Sequence, residues 1–251
     1  MKYKIAIFNA DLPMNTVTQN YGDYAHMFKN MFTRAAAAYD SSLEFVFNTY
    51  NVYKEDIYPS KEQFDELDAI VITGSKYYAG DNVPWINKLT EVVKNVIENR
   101  KEIKVLGVCF GHQIIGRAFG SSIVANPNGW EIAPYEIQLT EVGKRVFAKD
   151  SLIINQMHQD IVSDIPKGFE LLASTKTCSN QAFIKGGQVL SFQGHPEFSK
   201  EVVKTMTSTR FDNGLFTEEQ FTDAEKRLQK DTDTSLLEQT IIKFMMGKLI
   251  A

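Results

Sequence analysis

Hydrophobic positions along the chain recur with two different periods. Short runs rich in β-branched and aromatic residues, at 4–9, 43–50, 68–73 and 103–108, read as strands of a buried sheet. Longer stretches between them repeat apolar residues at helical spacing. Tyr24, Met27, Phe28, Met31, Phe32 and Ala35 do so within 21–39. Trp85, Leu89, Val92, Val93, Val96 and Ile97 do so within 84–100, a segment opened by Pro84 at the favoured first helical position. A further apolar-periodic stretch runs from 112 to 119. This alternation predicts βαβ units around a central, mainly parallel sheet with helices on both faces.

Beyond residue 120 the runs shorten and crowd together, at 121–125, 135–140, 153–156, 170–174, 181–184 and 189–192. They predict a small, partly antiparallel extension. Helical pattern returns at 217–230 and 236–250. With no internal repeat or linker, the chain is expected to form a single domain over 1–251, with a core over 1–200 and a helical tail over 201–251.

Composition narrows the partners. At 251 residues and 43% hydrophobic content the chain can bury a full core. A net charge of −4 supplies no basic field for a nucleic acid or an acidic membrane surface, so neither partner is expected. No apolar stretch approaches the roughly 20 residues of a membrane span. The N-terminal apolar run is too short for a signal-peptide core. Cys109 and Cys178, the two cysteines, show no CxxC spacing, which argues against a disulfide framework and a thiolate metal site. A reducing, cytoplasmic location is expected, with no metal and no cofactor.

The most informative junction follows the strand at 103–108. Gly107-Val108-Cys109-Phe110-Gly111-His112-Gln113 places a cysteine between two glycines at a strand-to-helix turn, the thiol counterpart of the Gly-x-Ser-x-Gly elbow. The turn is so tight that flanking side chains would clash, and the following helix must present its free N–H groups. The positive helix end favours the thiolate. The Phe110 N–H can face the oxyanion of a tetrahedral intermediate. A buried cysteine on a core strand is also a common structural feature, so this element alone leaves both readings open.

The second element is Gln193-Gly194-His195-Pro196-Glu197, after the run at 189–192. In extended chain His195 and Glu197 project to the same side, and Pro196 stiffens the pair. A glutamate on one imidazole nitrogen selects the tautomer whose other nitrogen exchanges a proton with the thiol and the leaving amine. As an isolated tripeptide this would read as a surface turn.

Together, Gly107-x-Cys109-x-Gly111-x-Gln113 and His195-Pro196-Glu197 resemble the class I glutamine amidotransferase signature. The resemblance implies a flavodoxin-like α/β three-layer sandwich and a catalytic set of Cys109, His195 and Glu197. It also implies backbone oxyanion donors at Gly74 and Phe110, and substrate contacts at Gln113, His158 and Trp130. Met157-His158-Gln159-Asp160 is similar to the family's pocket-lining segment, with Gln159 where a glycine is usual. Cys178, without an elbow, reads as structural, and His26 and His112 receive no role.

Family members commonly pass ammonia to a synthetase, but the chain shows no phosphate loop or pyrophosphatase loop for such a partner domain. Thr73 to Lys76, Cys109 to Gln113 and Gly129 to Glu131 resemble the stand-alone branch that includes plant γ-glutamyl peptidases and fungal relatives. The expected partner is therefore a small γ-glutamyl substrate, first a peptide of glutathione type. Glutamine hydrolysis for a separate synthetase is the alternative. A catalytically silent regulatory protein, or a thiol-based stress protein of the DJ-1 type, is the rival from another class.

Overall fold

The computed structural model describes residues 2–53 and 55–249. These form a nine-stranded sheet in the order β2-β1-β3-β4-β11-β10-β9-β6-β7. The strands are β1 (Lys2–Asn9), β2 (Glu44–Asn51), β3 (Ala69–Ile72), β4 (Lys104–Val108), β6 (Glu131–Leu139), β7 (Ser151–His158), β9 (Glu170–Ser174), β10 (Ala182–Lys185) and β11 (Val189–Phe192). A separate two-stranded antiparallel ribbon joins β5 (Ile123–Ala125) to β8 (Asp160–Val162).

The segment β2-β1-β3-β4-β11 is parallel, in the doubly wound order expected of a flavodoxin-like sheet. From β11 the pairing turns antiparallel through β10, β9, β6 and β7. The extension expected at the edge of the parallel sheet thus continues it without a break. The fold is α/β with a mixed central sheet.

Helices cover both faces. On one side α2 (Tyr24–Tyr39), α6 (Glu141–Phe147) and α9 (Thr234–Met245) pack Phe28, Met31, Phe32, Phe147, Ile241 and Phe244 against alternate strand residues such as Ile5, Ile7 and Leu106. On the other side α4 (Pro84–Asn99) and α5 (Phe110–Ala118) enclose Ile70, Ile72 and Val105. The buried stripe of α4 uses Ile86, Leu89, Val93, Val96 and Ile97. Trp85 instead lies half-buried and stacks on Phe110. The remaining helices are α1 (Asn15–Tyr21), α3 (Lys61–Phe64), α7 (Lys200–Asp212) and α8 (Glu218–Arg227). A third apolar cluster joins α1, α7 and α8 to Ile132 and Met157.

Several boundaries differ from the sequence pattern for identifiable reasons. The helix expected over 21–39 is divided: Gly22 adopts φ +80°, and Asp23 caps α2 by accepting a hydrogen bond from the His26 N–H at 2.7 Å. The helix expected from 112 begins at Phe110, directly on the cysteine. β6 starts at Glu131, four residues early, because the chain stays paired with β7 through Ala133, at φ +69°, and Pro134. The last helix spans Thr234–Met245 where 236–250 was expected, and Ile250 lies outside the described residues. No helix among the described residues is long and apolar enough to cross a membrane.

Candidate active site

The carboxyl ends of the parallel strands carry the chemistry-bearing turns, as is general for open α/β sheets. At the end of β4 the backbone reverses into α5 through Cys109, which holds φ +52° and ψ −103°. A non-glycine residue in that region costs about 1–3 kcal/mol. The surrounding packing fixes it there. A Cβ on Gly107 would stand 2.4 Å from Ile115 Cδ1, and one on Gly111 would stand 2.4 Å from the Ile72 carbonyl oxygen. The two glycines let helix and strand approach closely enough to force the elbow.

This yields a stability prediction with competing signs. Inside a helix, Gly→Ala is favourable by about 1 kcal/mol. At Gly111 the added methyl meets backbone rather than a flexible side-chain end, and overpacking costs about 1–3 kcal/mol or more. Gly111→Ala is therefore expected to lower the urea midpoint with an unchanged m-value. A raised midpoint would contradict the close packing of β3 on α5.

Cys109 and His195 come together across the strand ends. The Cys109 side chain adjoins the His195 ring, close enough for the sulfur to raise the ring's affinity for the proton. The other side of the ring is fixed, with Nδ1 2.8 Å from Glu197 Oε1. All three residues are buried. The His-Pro-Glu turn is pinned to β7, where the His195 N–H donates to the Asn155 carbonyl at 2.8 Å and Asn155 Nδ2 donates to the Phe198 carbonyl at 3.0 Å. Phe198 stacks flat on the imidazole at 4.0 Å between centroids.

Burial alone would hold the imidazole neutral. The Glu197 carboxylate and the Cys109 sulfur outweigh it and push His195 up to about 10. The ring is thus held protonated between Glu197 and Cys109.

Gly74, just after β3, closes the other side. A Cβ there would lie 3.0 Å from His195 Cε1 and 3.7 Å from Cys109 Cβ. Phe110, as first residue of α5, has an N–H without an intrahelical acceptor. Both backbone positions expected to face an oxyanion therefore flank the sulfur.

A cavity of about 270 Å³ opens on Cys109. Gln113, Trp130 and His158 all line it, beside Gln159, Asp160 and Arg210. The Gln113 amide nitrogen donates to the Asp160 carbonyl at 2.9 Å and to Gln193 Oε1 at 3.2 Å. His158 is held by Glu131 Oε2 at 2.9 Å from its Nε2. The expected pocket wall is thus anchored by a second buried histidine–carboxylate pair. Glu131 also accepts from Thr175 Oγ1 at 2.6 Å and from Thr177. Trp130 sits edge-on to Phe216 with Arg210 above it.

The remaining candidates lie elsewhere. Cys178 is fully buried, and burial together with Glu131 pushes its thiol up to about 12, out of reactive range. His112 is held neutral by burial, at about 3, and is bonded to Ser191 and the Asn180 carbonyl. His26 is exposed on α2. Among the described residues no three His, Cys, Asp or Glu side chains group as a metal site.

Phe198, Asn155 and Arg210 were not anticipated. Each belongs to a helix start, a strand or a helix end without a local motif, and only tertiary packing brings them to the site.

Comparison with known proteins gives the family. The family model for class I glutamine amidotransferases matches residues 21–212. A glutamine amidotransferase-like protein of Schizosaccharomyces pombe is 47% identical, covering 98% of this chain and 100% of that protein. Gamma-glutamyl peptidase 3 of Arabidopsis thaliana is 30% identical, covering 98% of each. The crystal structure of a glutamine amidotransferase from Thermotoga maritima superposes with a TM-score of 0.72 at 18% identity, over 97% of this chain and 98% of that one, which shows a shared fold. The elbow, the buried histidine–glutamate pair and the matched family model lead to one conclusion: the chain belongs to the class I glutamine amidotransferase family.

Proposed function

We propose that the protein is a γ-glutamyl peptidase, hydrolysing a γ-glutamyl amide bond through a glutamyl thioester on Cys109. The observation that carries the reading is that Cys109, which opens on a cavity at the start of α5, stands beside the buried His195–Glu197 pair and the Gly74 backbone. In this reading the thiolate attacks the γ-carbonyl carbon, and the oxyanion faces the two backbone N–H groups. His195 then gives its proton to the leaving nitrogen as the C–N bond breaks. Water attacks the thioester, His195 takes up its proton, and glutamate leaves as the thiolate re-forms. Glu197 keeps the imidazole oriented throughout.

The peptide preference rests on room beyond the scissile bond. The cavity on Cys109 shares Lys76 and Arg210 as lining with a second one of about 420 Å³. Ammonia needs no such space, whereas a dipeptide leaving group does. The similarity to Gamma-glutamyl peptidase 3 supports the same direction.

The test is glutamate release by the purified chain from glutathione and from glutamine. A higher kcat/KM for glutathione is expected. Turnover of glutamine with none of any γ-glutamyl peptide would overturn the reading in favour of an ammonia-supplying subunit.

A further inference from the structure

Arg210, in the last turn of α7, is half-buried without a counter-charge. Its Nη1 is shielded from solvent and has no hydrogen-bond partner among the described residues. Its guanidinium carbon instead lies 5.3 Å from the Trp130 ring centroid and 5.9 Å from that of Phe216. Lys76, on the same boundary between the two cavities, is already neutralised by Asp11 at 3.1 Å. No carboxylate among the described residues forms an ion pair with Arg210. Burial lowers its affinity for the proton, with Tyr24 and Cys109 partly opposing this.

A guanidinium with a shielded, unpaired nitrogen is left under-satisfied unless something anionic completes it. Its planar fork matches a carboxylate in two hydrogen bonds. The position then decides which carboxylate. The cavity on Cys109 holds Gln113, His158 and Asp160, while the second is lined by Asp11 to Asn15, Tyr24 and Met206 and contains neither Cys109 nor Gln113. In the peptidase reading, a leaving peptide that extends away from Gln113 would enter that second space. Two extended residues of a leaving peptide span about 7 Å, enough to carry a terminal carboxylate away from the sulfur and toward the boundary.

We propose that Arg210 is a specificity residue that binds the C-terminal carboxylate of the departing dipeptide, so that the protein selects γ-glutamyl tripeptides with a free carboxyl end. This rests on the peptidase reading above. The aromatic pair fixes the guanidinium in advance, so little side-chain freedom is lost on binding.

The experiment compares glutathione, its C-terminal amide and glutamine, using the wild type, Arg210→Met and Arg210→Lys. The methionine keeps a flexible apolar stem between Trp130 and Phe216, and the lysine keeps the charge without the fork. The wild type is expected to prefer the free acid over the amide by roughly ten- to hundredfold in kcat/KM. That preference should collapse to near unity in Arg210→Met and be partly retained in Arg210→Lys. An acid-over-amide preference that survives in Arg210→Met would overturn the proposal. So would a wild type that shows no such preference. An equal loss on all three substrates would place the glutamyl α-carboxylate at Arg210 and overturn the leaving-group assignment alone. A wild type that turns over only glutamine would instead bring down the peptidase reading itself.

Discussion

Replacing Cys109 with alanine should reduce glutamate release from every γ-glutamyl substrate by a factor on the order of 10⁴–10⁶ in kcat. The size of the loss follows from the absence of a substitute nucleophile. Cys178 is fully buried and its thiol is held near 12, and it does not line the cavity. Water could reach the carbonyl only as a direct attacker. The Phe110 and Gly74 amides would still stabilise the oxyanion, but no thioester could form. The fold should survive, since alanine at φ +52° is no more strained than cysteine and the flanking glycine contacts are untouched. Far-UV circular dichroism and the urea midpoint check this. Mass spectrometry should show a glutamyl adduct on Cys109 in the wild type under turnover and none in the variant. Turnover of Cys109→Ala within tenfold of wild type would sink the nucleophile assignment.

The elbow was legible in the sequence because its geometry is set by neighbours in the chain. Gly107 and Gly111 mark a close approach of one strand and one helix, and the contacts with Ile115 and Ile72 show what that approach excludes. The His-Pro-Glu pair was legible for the same reason, since extended spacing alone puts both side chains on one side. The parallel half of the sheet follows from its runs of apolar residues. What the chain pattern missed depends on partners far away in sequence. The length of β6 is set by pairing with β7 across a positive-φ residue and a proline, both of which locally argue against a strand. Glu131 read as part of a loop, yet it is the buried anchor of His158, supported by Thr175 and Thr177 more than forty residues away. Arg210 lies on a helix whose residues are mostly polar, where a charged residue is ordinarily solvated, and it is partly covered by Trp130 and Phe216 from other elements.

The charge on His195 gives the second large effect and fixes its sign. Burial opposes the imidazolium, and Glu197 with Cys109 overcomes it, holding the ring protonated to about 10. Glu197 Oε2 is buried with no hydrogen-bond partner among the described residues, so the imidazolium is what offsets that carboxylate. Because the folded value lies above the ordinary histidine value of about 6.5, the stabilisation from this proton is complete below that pH and is lost as pH rises through about 10. Activity should follow the same limb, since the leaving nitrogen needs the His195 proton. The wild type is expected to stay active through neutral pH and to decline toward pH 10. Glu197→Gln removes the charge but keeps the shape. Burial then prevails, the alkaline limb moves to lower pH, and kcat at neutral pH falls by a factor on the order of 10²–10⁴. The pH profile separates this from a packing defect, which would lower activity at every pH without moving the limb. An unshifted limb in Glu197→Gln would mean that the carboxylate only fills space beside the ring.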